Sequence, residues 1–548
     1  MIRFLRTSTL TSTAIVLLAL VGCSDDGSNF DVTQQLGPDP VLPEPRNELL
    51  PDLKVAEVVG WQEGETPIVA EGLTITPYAA DLANPRTVHT LPNGDVLVVQ
   101  GKAPPGKPTE RPKDFIRNFI MSMGQGSGGQ SKETNLITLL RDTDRNGTVD
   151  ERHDLLTELN SPFGVAFADN TLYVAAADAI LAYPYELGQN EITEDPRVLT
   201  PLPGGPINHH WTKDLALSPD GRFLYASVGS NSNAGERGLE AEKGRAAIWQ
   251  VDRQTGAARV FASGLRNPNG LTFHPETGEL WAVINERDEL GPNLVPDYLT
   301  SVKEGAFYGW PWSYYGNHVD ERVHPPRPDM VERAIAPDYA LSSHVAALGL
   351  TFSNNSAMPE PYRNGAFVGN RGSWNRSQFN GYKVLYVPFE NGRPAGMPVD
   401  VVTGFLDGDK ARGRPVGVGI DGTGALLVAD DAGNTVWRVA PADGTVTPEP
   451  IATDAPPNNP TAPTAAAPAP GVPPAGTPAP ADVTTGTTDR LPADTSPPPA
   501  AAPAPAEAPA APDAGAAGGP EPVNPPQTDI APAVQPEGAV QDSPDSGQ

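Results

Sequence analysis

The chain has 548 residues, 63 of them proline, with a formal net charge of -29 and a single cysteine. So acidic a protein lacks the cationic surface that binds a phosphate backbone, which argues against a nucleic-acid partner. One cysteine excludes an intrachain disulfide, a multi-cysteine zinc site and a covalently attached c-type haem. At this length, the chain is expected to contain more than one structural region.

The first residues have the pattern of an export signal. Arg3 and Arg6 precede an apolar run over residues 15–21 that is too short to span a bilayer stably. The run ends in Leu-Val-Gly-Cys at Cys23, which resembles a bacterial lipobox. We therefore interpret residues 1–22 as a lipoprotein signal peptide and Cys23 as the lipidation site, although an ordinary signal peptide containing a cysteine is the alternative. Serine after the cysteine resembles outer-membrane sorting, so we expect an exported protein, lipid-anchored to the periplasmic face of the outer membrane.

Two further regions have the composition of unfolded chain. Residues 23–55 are rich in proline, aspartate and asparagine and are predicted to form a flexible leash. Residues 446–548 are predicted to form a disordered tail rich in proline and alanine. From Ile451 onward this tail holds 25 of the 63 prolines, no aromatic residue and only one basic residue. Such a segment cannot bury enough apolar surface to offset the entropy of ordering it. The tail is either a spacer or simply a solvated segment.

The central region, residues 56–445, repeats one local pattern of two apolar strands joined by a polar turn. Asn-Gly and Asp-Gly turns between apolar runs are strong hairpin signals, because these residues tolerate positive φ. The start-to-start spacings of 49 to 80 residues fit one four-stranded sheet per repeat. The sequence therefore predicts an all-β fold, a six-bladed β-propeller; only residues 113–123 suggest a short helix. The six copies begin at Asn84, Ser161, His210, Asn267, Ala347 and Arg414.

Four loop segments carry residues that are unusual for simple turns. His210 stands where a loop enters a strand and has the chemistry of a base near neutral pH. Arg266 and Asn267 stand side by side before another strand, and residues 285–289 offer oxygen atoms to a hard cation. Residues 371–383 concentrate cations in an acidic protein, which favours an anionic ligand such as a polycarboxylate.

Five motifs occur together and in a fixed order. The chain contains HWTKDLA, LRNPNGL, NERD, FYGWP and RGSWNR. In this order they resemble the glucose/sorbosone dehydrogenase family, whose members are six-bladed propellers that use pyrroloquinoline quinone (PQQ) and calcium. The resemblance extends from about Leu73 to Ala440. It implies oxidation of a sugar, or of a related alcohol or aldehyde, by hydride transfer to PQQ. The electrons would pass to a separate quinone or cytochrome, because the chain has no haem-attachment motif.

The same resemblance implies a role for each candidate residue. His210 corresponds to the general base, and Arg266 and Asn267 to the pair that contacts the quinone. The main-chain carbonyls of Glu286 and Arg287 correspond to the calcium ligands. The remaining positions correspond to residues near the cofactor or to partners of its carboxylates, and they are Asn285, Arg371, Arg376, Lys383 and, more weakly, Arg414.

Three alternatives stay open on the sequence alone. Residues 142–150 begin like a calcium-binding loop, but His153 stands where such a loop needs glutamate, so a tight hairpin turn is favoured. A propeller lactonase or other metal-dependent hydrolase would bind its metal directly through side chains and would not need the arginine cluster. A non-catalytic binding propeller would need neither a cofactor nor His210.

Overall fold

The computed structural model of the chain describes residues 30–46, 53–104, 134–354 and 356–444. Within these residues the fold is almost entirely β-structure. The helical elements are the short α-helix α1 (Pro328–Arg333) and two 3-10 helices, η1 (Val32–Gln35) and η2 (Leu239–Glu242). No helix among the described residues has the length and apolar character needed to cross a membrane.

Six antiparallel sheets of four strands form the body of the protein, and we call them blades 1 to 6 in chain order. Within each blade the strands run in order from the innermost to the outermost. Blade 1 consists of β5 (Pro85–Thr90), β6 (Val96–Gln100), β7 (Leu136–Arg141) and β8 (Glu151–Leu156), and blade 2 of β9 (Val165–Ala168), β10 (Thr171–Ala175), β11 (Ala179–Pro184) and β12 (Arg197–Pro201). Blade 3 consists of β13 (Leu215–Leu217), β14 (Phe223–Val228), β15 (Ala247–Asp252) and β16 (Ala258–Ser263), and blade 4 of β17 (Asn267–Phe273), β18 (Leu280–Asn285), β19 (Pro296–Ser301) and β22 (Tyr339–Ser343). Blade 5 consists of β23 (Ala347–Phe352), β24 (Gly365–Asn370), β25 (Lys383–Glu390) and β27 (Val399–Thr403), and blade 6 of β30 (Pro415–Ile420), β31 (Leu426–Asp430), β32 (Thr435–Pro441) and β4 (Leu73–Ala79).

Eight two-residue strands lie at the edges of the blades or in the loops between them. They are β1 (Leu36–Gly37), β2 (Glu57–Val58), β3 (Ile68–Val69), β20 (Ser313–Tyr314), β21 (His318–Val319), β26 (Arg393–Pro394), β28 (Leu406–Asp407) and β29 (Lys410–Ala411).

The predicted repeats are confirmed, because each of the six copies forms the two innermost strands of one blade. The turns are those that the dipeptides indicate. Gly94 joins β5 to β6 with a φ of 96°, and Gly221 joins β13 to β14 with a φ of 69°. Only glycine adopts such angles without steric cost, so these turns fix the register of the hairpins.

Each blade packs face to face against the next, and this explains why the second strand of each blade is mostly apolar and buried. In β6, Val96 and Val98 belong to the cluster shared with blade 6, whereas Leu97 and Val99 belong to the cluster shared with blade 2. Successive side chains of a strand point to opposite faces, so a strand that is covered on both sides reads as a continuous apolar run. Six such clusters join the blades in a closed ring.

The ring is closed by a strand from the other end of the chain. β4 precedes blade 1 in sequence but pairs with β32 as the outermost strand of blade 6, with Ile75 opposite Val439. This pairing holds the first and last parts of the propeller together, so the ring has no open blade edge at the junction.

The segment expected to be a flexible leash is in part a docked strap, which we define as residues 31–46. Within it, β1 pairs with β22 as a fifth strand of blade 4. The Gln35 side chain is fully buried; its amide donates to the carbonyl of Asn293 and its oxygen accepts from the Ser343 hydroxyl. The expectation of a flexible leash is therefore wrong for these residues, because burial of polar groups with matched partners orders a segment that lacks an apolar pattern.

Several predicted features lie outside the described residues. These are the signal peptide, the lipidation site at Cys23, the short helix at residues 113–123 and nearly all of the C-terminal tail.

Candidate active site

The topology brings the predicted site residues to one mouth of the propeller. The innermost strand of each blade starts at the same edge of the sheet at which the second strand ends, because the two are antiparallel. Asn267 therefore pairs with Asn285 in blade 4, Ala347 with Asn370 in blade 5, and Pro415 with Asp430 in blade 6. The loops that carry the candidate residues lead into or out of these positions.

His210 lies in the loop before β13, half-buried at this mouth. Its Nδ1 atom is 2.9 Å from the main-chain oxygen of Ser230 and 2.9 Å from the hydroxyl of Ser230. The ring of His209 meets it edge-on, with 4.6 Å between ring centroids. These contacts fix the orientation of the imidazole.

A glycine lets the histidine approach the loop of blade 4. A Cβ atom added at Gly229 would lie 2.5 Å from the Cβ of His210 and 2.6 Å from the Oδ1 of Asn267, closer than non-bonded atoms can come. Only a residue without a side chain fits there. The close approach places Asn267 beside His210, and the buried Oδ1 of Asn267 has no hydrogen-bond partner among the described residues.

Arg266 is buried and held by several acceptors at once. Its guanidinium donates to the main-chain oxygen of Glu286 at 2.6 Å, to Asn233, and to the carboxylate of Asp288 at 3.0 Å. Asp288 is also contacted by His344 at 3.4 Å and by Asn375 at 3.3 Å. Although burial opposes ionisation, Arg266 and His344 hold the pKa of Asp288 well below its usual range.

A second cluster, which we call the arginine cluster, consists of Arg86, Arg371 and Arg414 around Asp431. Arg86 Nη1 and Arg371 Nε each lie 2.7 Å from the Oδ2 of Asp431. Arg414 is nearby, and its buried Nε has no hydrogen-bond partner among the described residues. Three guanidinium groups therefore stand against Asp431 and the neighbouring buried carboxylate of Asp430, which leaves a local excess of positive charge.

The pKa shifts of the cluster reflect this imbalance. Burial, together with the like charges of Arg371 and Arg414 and despite the attraction of Asp431, lowers the pKa of Arg86 to about 10. Burial and the neighbouring Arg371 also lower the pKa of Arg414. Burial opposes ionisation of Asp431, but its arginine neighbours bring the pKa of this carboxyl below its usual value. An added anion would relieve the repulsion between the guanidinium groups.

The arginine cluster lies next to the histidine. The guanidinium carbon of Arg86 lies 5.7 Å from the centre of the Trp211 ring, and Trp211 follows His210 in the chain. Arg371 donates its main-chain N–H to Ala346, which precedes the innermost strand of blade 5. The mouth thus combines an anion-attracting cluster with a histidine and with the ion pair of Arg266 and Asp288.

Two of the predicted cofactor residues are not brought into the arginine cluster. Arg376 is buried and donates to the carbonyl of Pro292 and to the Ser343 hydroxyl, so it fastens its own loop of blade 5 to blade 4. Lys383 begins β25 and pairs with Asp400 of the outermost strand at 2.8 Å. Their roles as cofactor ligands stay predictions.

Of the two predicted calcium ligands, the main-chain oxygen of Glu286 is already engaged in another contact. The main-chain oxygen of Glu286 accepts from Arg266, so a cation bound there would lie against a guanidinium. The Arg287 side chain is fully buried between the carboxylates of Glu286 and Asp320. Asn285 donates its amide N–H to the main-chain oxygen of Ala347.

The loop of residues 142–150 forms the turn between β7 and β8. The carboxylates of Asp142, Asp144 and Asp150 lie within 4.8 Å of one another. They accept hydrogen bonds from the turn itself, including one from the Gly147 main-chain N–H to Asp142. These bonds are typical of the tight hairpin turn that the sequence favours, and calcium binding by this loop stays a prediction.

A separate cavity of about 340 Å³ opens beside blade 4, lined by Ser301, Lys303 and Asp338 among others. Ser301 pairs with Trp281 at the start of β18, whereas Asn285 ends that strand at the mouth. The cavity therefore lies at the opposite edge of the blade from His210.

Sequence reasoning missed Arg86 and the two carboxylates that organise the mouth, Asp288 and Asp431. A signal for Arg86 existed, since it stands beside the proline that starts the first repeat, as Arg414 stands beside the proline of the last repeat. The carboxylates had no comparable signal, because acidic residues are frequent throughout the chain.

Sequence comparisons place these features in a wider context. A family model described as TrAA12-like matches residues 131–297 and 329–442, just over half of the chain. An uncharacterised protein of Borreliella burgdorferi is 29% identical over 294 residues, which cover 51% of this chain and 76% of that protein. The aldose sugar dehydrogenase YliI of Escherichia coli is 26% identical over 119 residues, or 21% of this chain and 30% of that enzyme.

Two solved structures have a similar fold. The calcium structure of the Trichoderma reesei protein of carbohydrate-active enzyme family AA12 is 18% identical, with a TM-score of 0.55 and coverage of 69% of this chain and 97% of that one. The holo form of the PQQ domain of pyranose dehydrogenase from Coprinopsis cinerea is 20% identical, with a TM-score of 0.54 and coverage of 70% and 100%. At these identities the similarity establishes the propeller fold.

Proposed function

Because the chain belongs to the TrAA12-like family, we propose that it is a PQQ-dependent dehydrogenase that oxidises a sugar or a related alcohol or aldehyde. One observation carries the proposal: the arginine cluster, with three guanidinium groups against two carboxylates, lies at the same propeller mouth as His210, and its Arg86 contacts the ring of Trp211, the next residue after His210. The names of the relatives, an aldose sugar dehydrogenase and a PQQ-domain pyranose dehydrogenase, support the same activity.

The residues at the mouth fit a cofactor with several carboxylates. Arg86, Arg371 and Arg414 carry more positive charge than Asp431 neutralises, and arginine binds carboxylates in a bidentate geometry. The buried amide of Asn370 has no partner for either its nitrogen or its oxygen among the described residues, so it offers a further donor and acceptor. When bound, PQQ would supply an electrophilic quinone that accepts a hydride.

His210 would take the proton of the substrate hydroxyl. A carbon that loses a hydride becomes a carbonyl only if its hydroxyl also loses a proton, so the reaction needs a base at the reacting oxygen. The Nδ1 of His210 is held by Ser230, which leaves Nε2 as the atom that can accept this proton. Asn267, beside the histidine, has a free Oδ1 that can accept from a second hydroxyl and orient the sugar.

Arg266 would supply positive charge near the site of hydride transfer. Its guanidinium is fixed by Asp288 and by the main-chain oxygen of Glu286, so it needs no reorganisation when negative charge develops nearby. Calcium at Glu286 and Arg287 stays a proposal from the resemblance alone. The Glu286 oxygen already faces Arg266, so an ion bound there would lie beside the guanidinium.

The direct test is cofactor binding followed by turnover. Purified protein would be titrated with PQQ, with and without Ca²⁺, and then mixed with an aldose and a reducible dye. We expect a Kd in the micromolar range or below and dye reduction that requires both PQQ and sugar. Failure to bind PQQ at micromolar concentration would discard the proposal and favour the lactonase or the non-catalytic propeller.

The role of His210 is tested by His210→Ala. We expect turnover to fall by about 10²–10⁴-fold, because removal of a general base costs that much, while the PQQ dissociation constant is unchanged. His153→Ala, on the outer strand of blade 1, serves as the matched control and should keep full turnover. Normal turnover in His210→Ala would remove this residue from the mechanism.

We also propose that Cys23 is acylated, that the protein is held at the periplasmic face of the outer membrane, and that its electrons leave to a separate quinone or cytochrome. The support is the signal-peptide pattern and the absence of a haem-attachment motif from the sequence. Membrane fractionation of cells that express Cys23→Ser checks the anchor: the variant should leave the membrane fraction, whereas wild-type protein should stay in it.

A further inference from the structure

On its Nδ1 side, His210 contacts a main-chain oxygen, which can accept a hydrogen bond but cannot donate one. Its Nδ1 lies 2.9 Å from the main-chain oxygen of Ser230, and a carbonyl oxygen has no proton to donate. For a hydrogen bond to form, Nδ1 must therefore carry the hydrogen. In a neutral imidazole the lone pair then belongs to Nε2, the nitrogen that would face a substrate.

The hydroxyl of Ser230 is oriented to reinforce the same choice. It donates its proton to the main-chain oxygen of Ser232 at 2.7 Å, so the oxygen atom that lies 2.9 Å from His210 Nδ1 presents a lone pair. The main-chain N–H of Ser230 donates to the carbonyl of Arg266 at 2.8 Å, and the residue is fully buried. The serine has little freedom to rotate away.

A buried glutamate holds this segment in place. Glu242 accepts from the main-chain N–H of Asn231 at 2.7 Å and from the hydroxyl of Ser232. Both of these residues adjoin or contact Ser230, so the position of its oxygen atoms is set by the segment as a whole.

We propose that Ser230 is a positioning residue that fixes His210 in the Nδ1–H tautomer and so places the lone pair of the neutral imidazole on Nε2. This rests on the proposed role of His210 in sugar oxidation. The titratable and charged groups that face the loop are His209 against the ring, Lys213 at the Trp211 carbonyl, and Arg245 at the Gly229 carbonyl. Arg266 contacts Ser230 through its main chain.

The tautomer can be measured without a cofactor. The full-length apoprotein would be labelled with ¹⁵N-histidine, and long-range ¹H–¹⁵N NMR spectra would report which ring nitrogen of each of the eight histidines is protonated. His210→Gln assigns the signal. We expect the Nδ1–H form for His210 both in the wild type and in Ser230→Ala, which keeps the main-chain oxygen, but with a shifted Nδ1–H resonance in the variant because the second acceptor is lost. An Nε2–H tautomer in the wild type would overturn the proposal.

The second readout is the pH dependence of kcat/KM with PQQ and sugar. Ser230→Ala should lower kcat/KM by about 3–10-fold, as expected for one lost hydrogen bond, and Ser230→Thr should restore it. Ser230→Asp places a negative charge near Nδ1, so the acidic limb should move toward alkaline pH by about one unit. If Ser230→Asp does not fold, the alanine and threonine variants still decide the question.

The outcomes separate the two proposals. An unchanged Nδ1–H resonance together with unchanged kcat/KM in Ser230→Ala would refute the positioning role of the hydroxyl while leaving the dehydrogenase intact. An Nδ1–H resonance that shifts in Ser230→Ala, in a protein that never reduces dye with PQQ, would support the positioning role and refute the proposed function.

Discussion

Two buried arginine sites in this protein solve opposite electrostatic problems. Arg287, at the end of blade 4, is fully buried and donates to the carboxylates of Glu286 and Asp320, both at 3.0 Å, and to the carbonyl of Pro311 at 2.8 Å. The arginine cluster at the mouth instead sets three guanidinium groups against two carboxylates, Asp431 and the neighbouring Asp430. At the first site the carboxylates balance the positive charge of the arginine, whereas the second site keeps an excess of positive charge.

The difference separates structural from ligand-binding charge. A buried cation with matched acceptors has no use for a further anion, whereas neighbouring guanidinium groups that repel one another gain from one. The pKa shifts are consistent with this difference. Burial opposes ionisation of Arg287, but its two carboxylates raise its pKa, whereas burial lowers the pKa of Arg86 to about 10. The same residue type in the same fold therefore serves two purposes, and removing it should have two different effects.

The largest expected effect is on stability at the compensated site. Arg287→Met should lower the free energy of unfolding by about 3–5 kcal/mol, because it takes the buried carboxylate of Glu286 away from its arginine and leaves Asp320 with Arg322 alone. Urea denaturation of the purified variant measures this. Arg363→Met is the control, since Arg363 is 62% exposed and 3.9 Å from Glu360, and it should change stability by less than about 1 kcal/mol. Equal stability of the two variants would contradict the comparison.

At the mouth, the effect should fall on binding instead. Arg371→Met should raise the PQQ dissociation constant by about 10–100-fold, because it removes a charge-assisted contact to a carboxylate. The free energy of unfolding should change by less than about 1 kcal/mol, since Asp431 keeps Arg86 at 2.7 Å. Fluorescence titration and urea denaturation separate the two quantities. A large loss of stability with unchanged PQQ affinity would make Arg371 a structural residue like Arg287.

A smaller effect is expected from the aspartate that precedes Asp431. Asp430 is buried against the indole N–H groups of Trp61 and Trp437, and burial raises its pKa to about 6. The pKa of this carboxyl in the folded protein lies above its usual value of 3.8. Its contribution to the free energy of unfolding is therefore fully present below about pH 3.8 and is lost as the pH rises through about 6.

Between pH 4 and 7, the free energy of unfolding should therefore decrease by about 1–2 kcal/mol less in Asp430→Asn than in the wild type. Urea denaturation at several pH values measures the slope. Asp400→Asn, at an exposed position, is the control and should keep the wild-type slope. An identical slope in Asp430→Asn would show that this carboxyl does not titrate in the range.

The propeller could be predicted from the sequence because its signals are local. Several hairpins join neighbouring strands through a glycine turn, as at Gly94 and Gly221, and the second strand of each blade reads as a largely apolar run. Residues of the mouth could be predicted where they stand at the start of a repeat or just before it, as His210 and Arg266 do. The contact between Arg86 and Asp431 joins residues 345 positions apart, and it depends on closure of the ring, which no local pattern reports.

The strap and the direction of side chains were beyond sequence reasoning for other reasons. Gln35 is buried through polar contacts alone, and β1 has two residues, too few for any periodicity. Arg376 and Lys383 share a cationic segment with Arg371. Side chains of nearby residues point in different directions, however, so proximity in sequence does not bring these two residues into the arginine cluster.

The smallest expected effect gives the sharpest check on that last point. Lys383 lies at 2.8 Å from Asp400, in a pair whose side chains are 29% and 48% exposed, on the third and fourth strands of blade 5. Lys383→Met should leave the PQQ dissociation constant unchanged, and stability should change by less than about 1 kcal/mol, as for other exposed ion pairs. Measured beside Arg371→Met, it tests whether position at the mouth, not charge in the segment, decides cofactor affinity. A weakening of PQQ binding similar to that of Arg371→Met would restore Lys383 as a ligand and require the loop to rearrange around the cofactor.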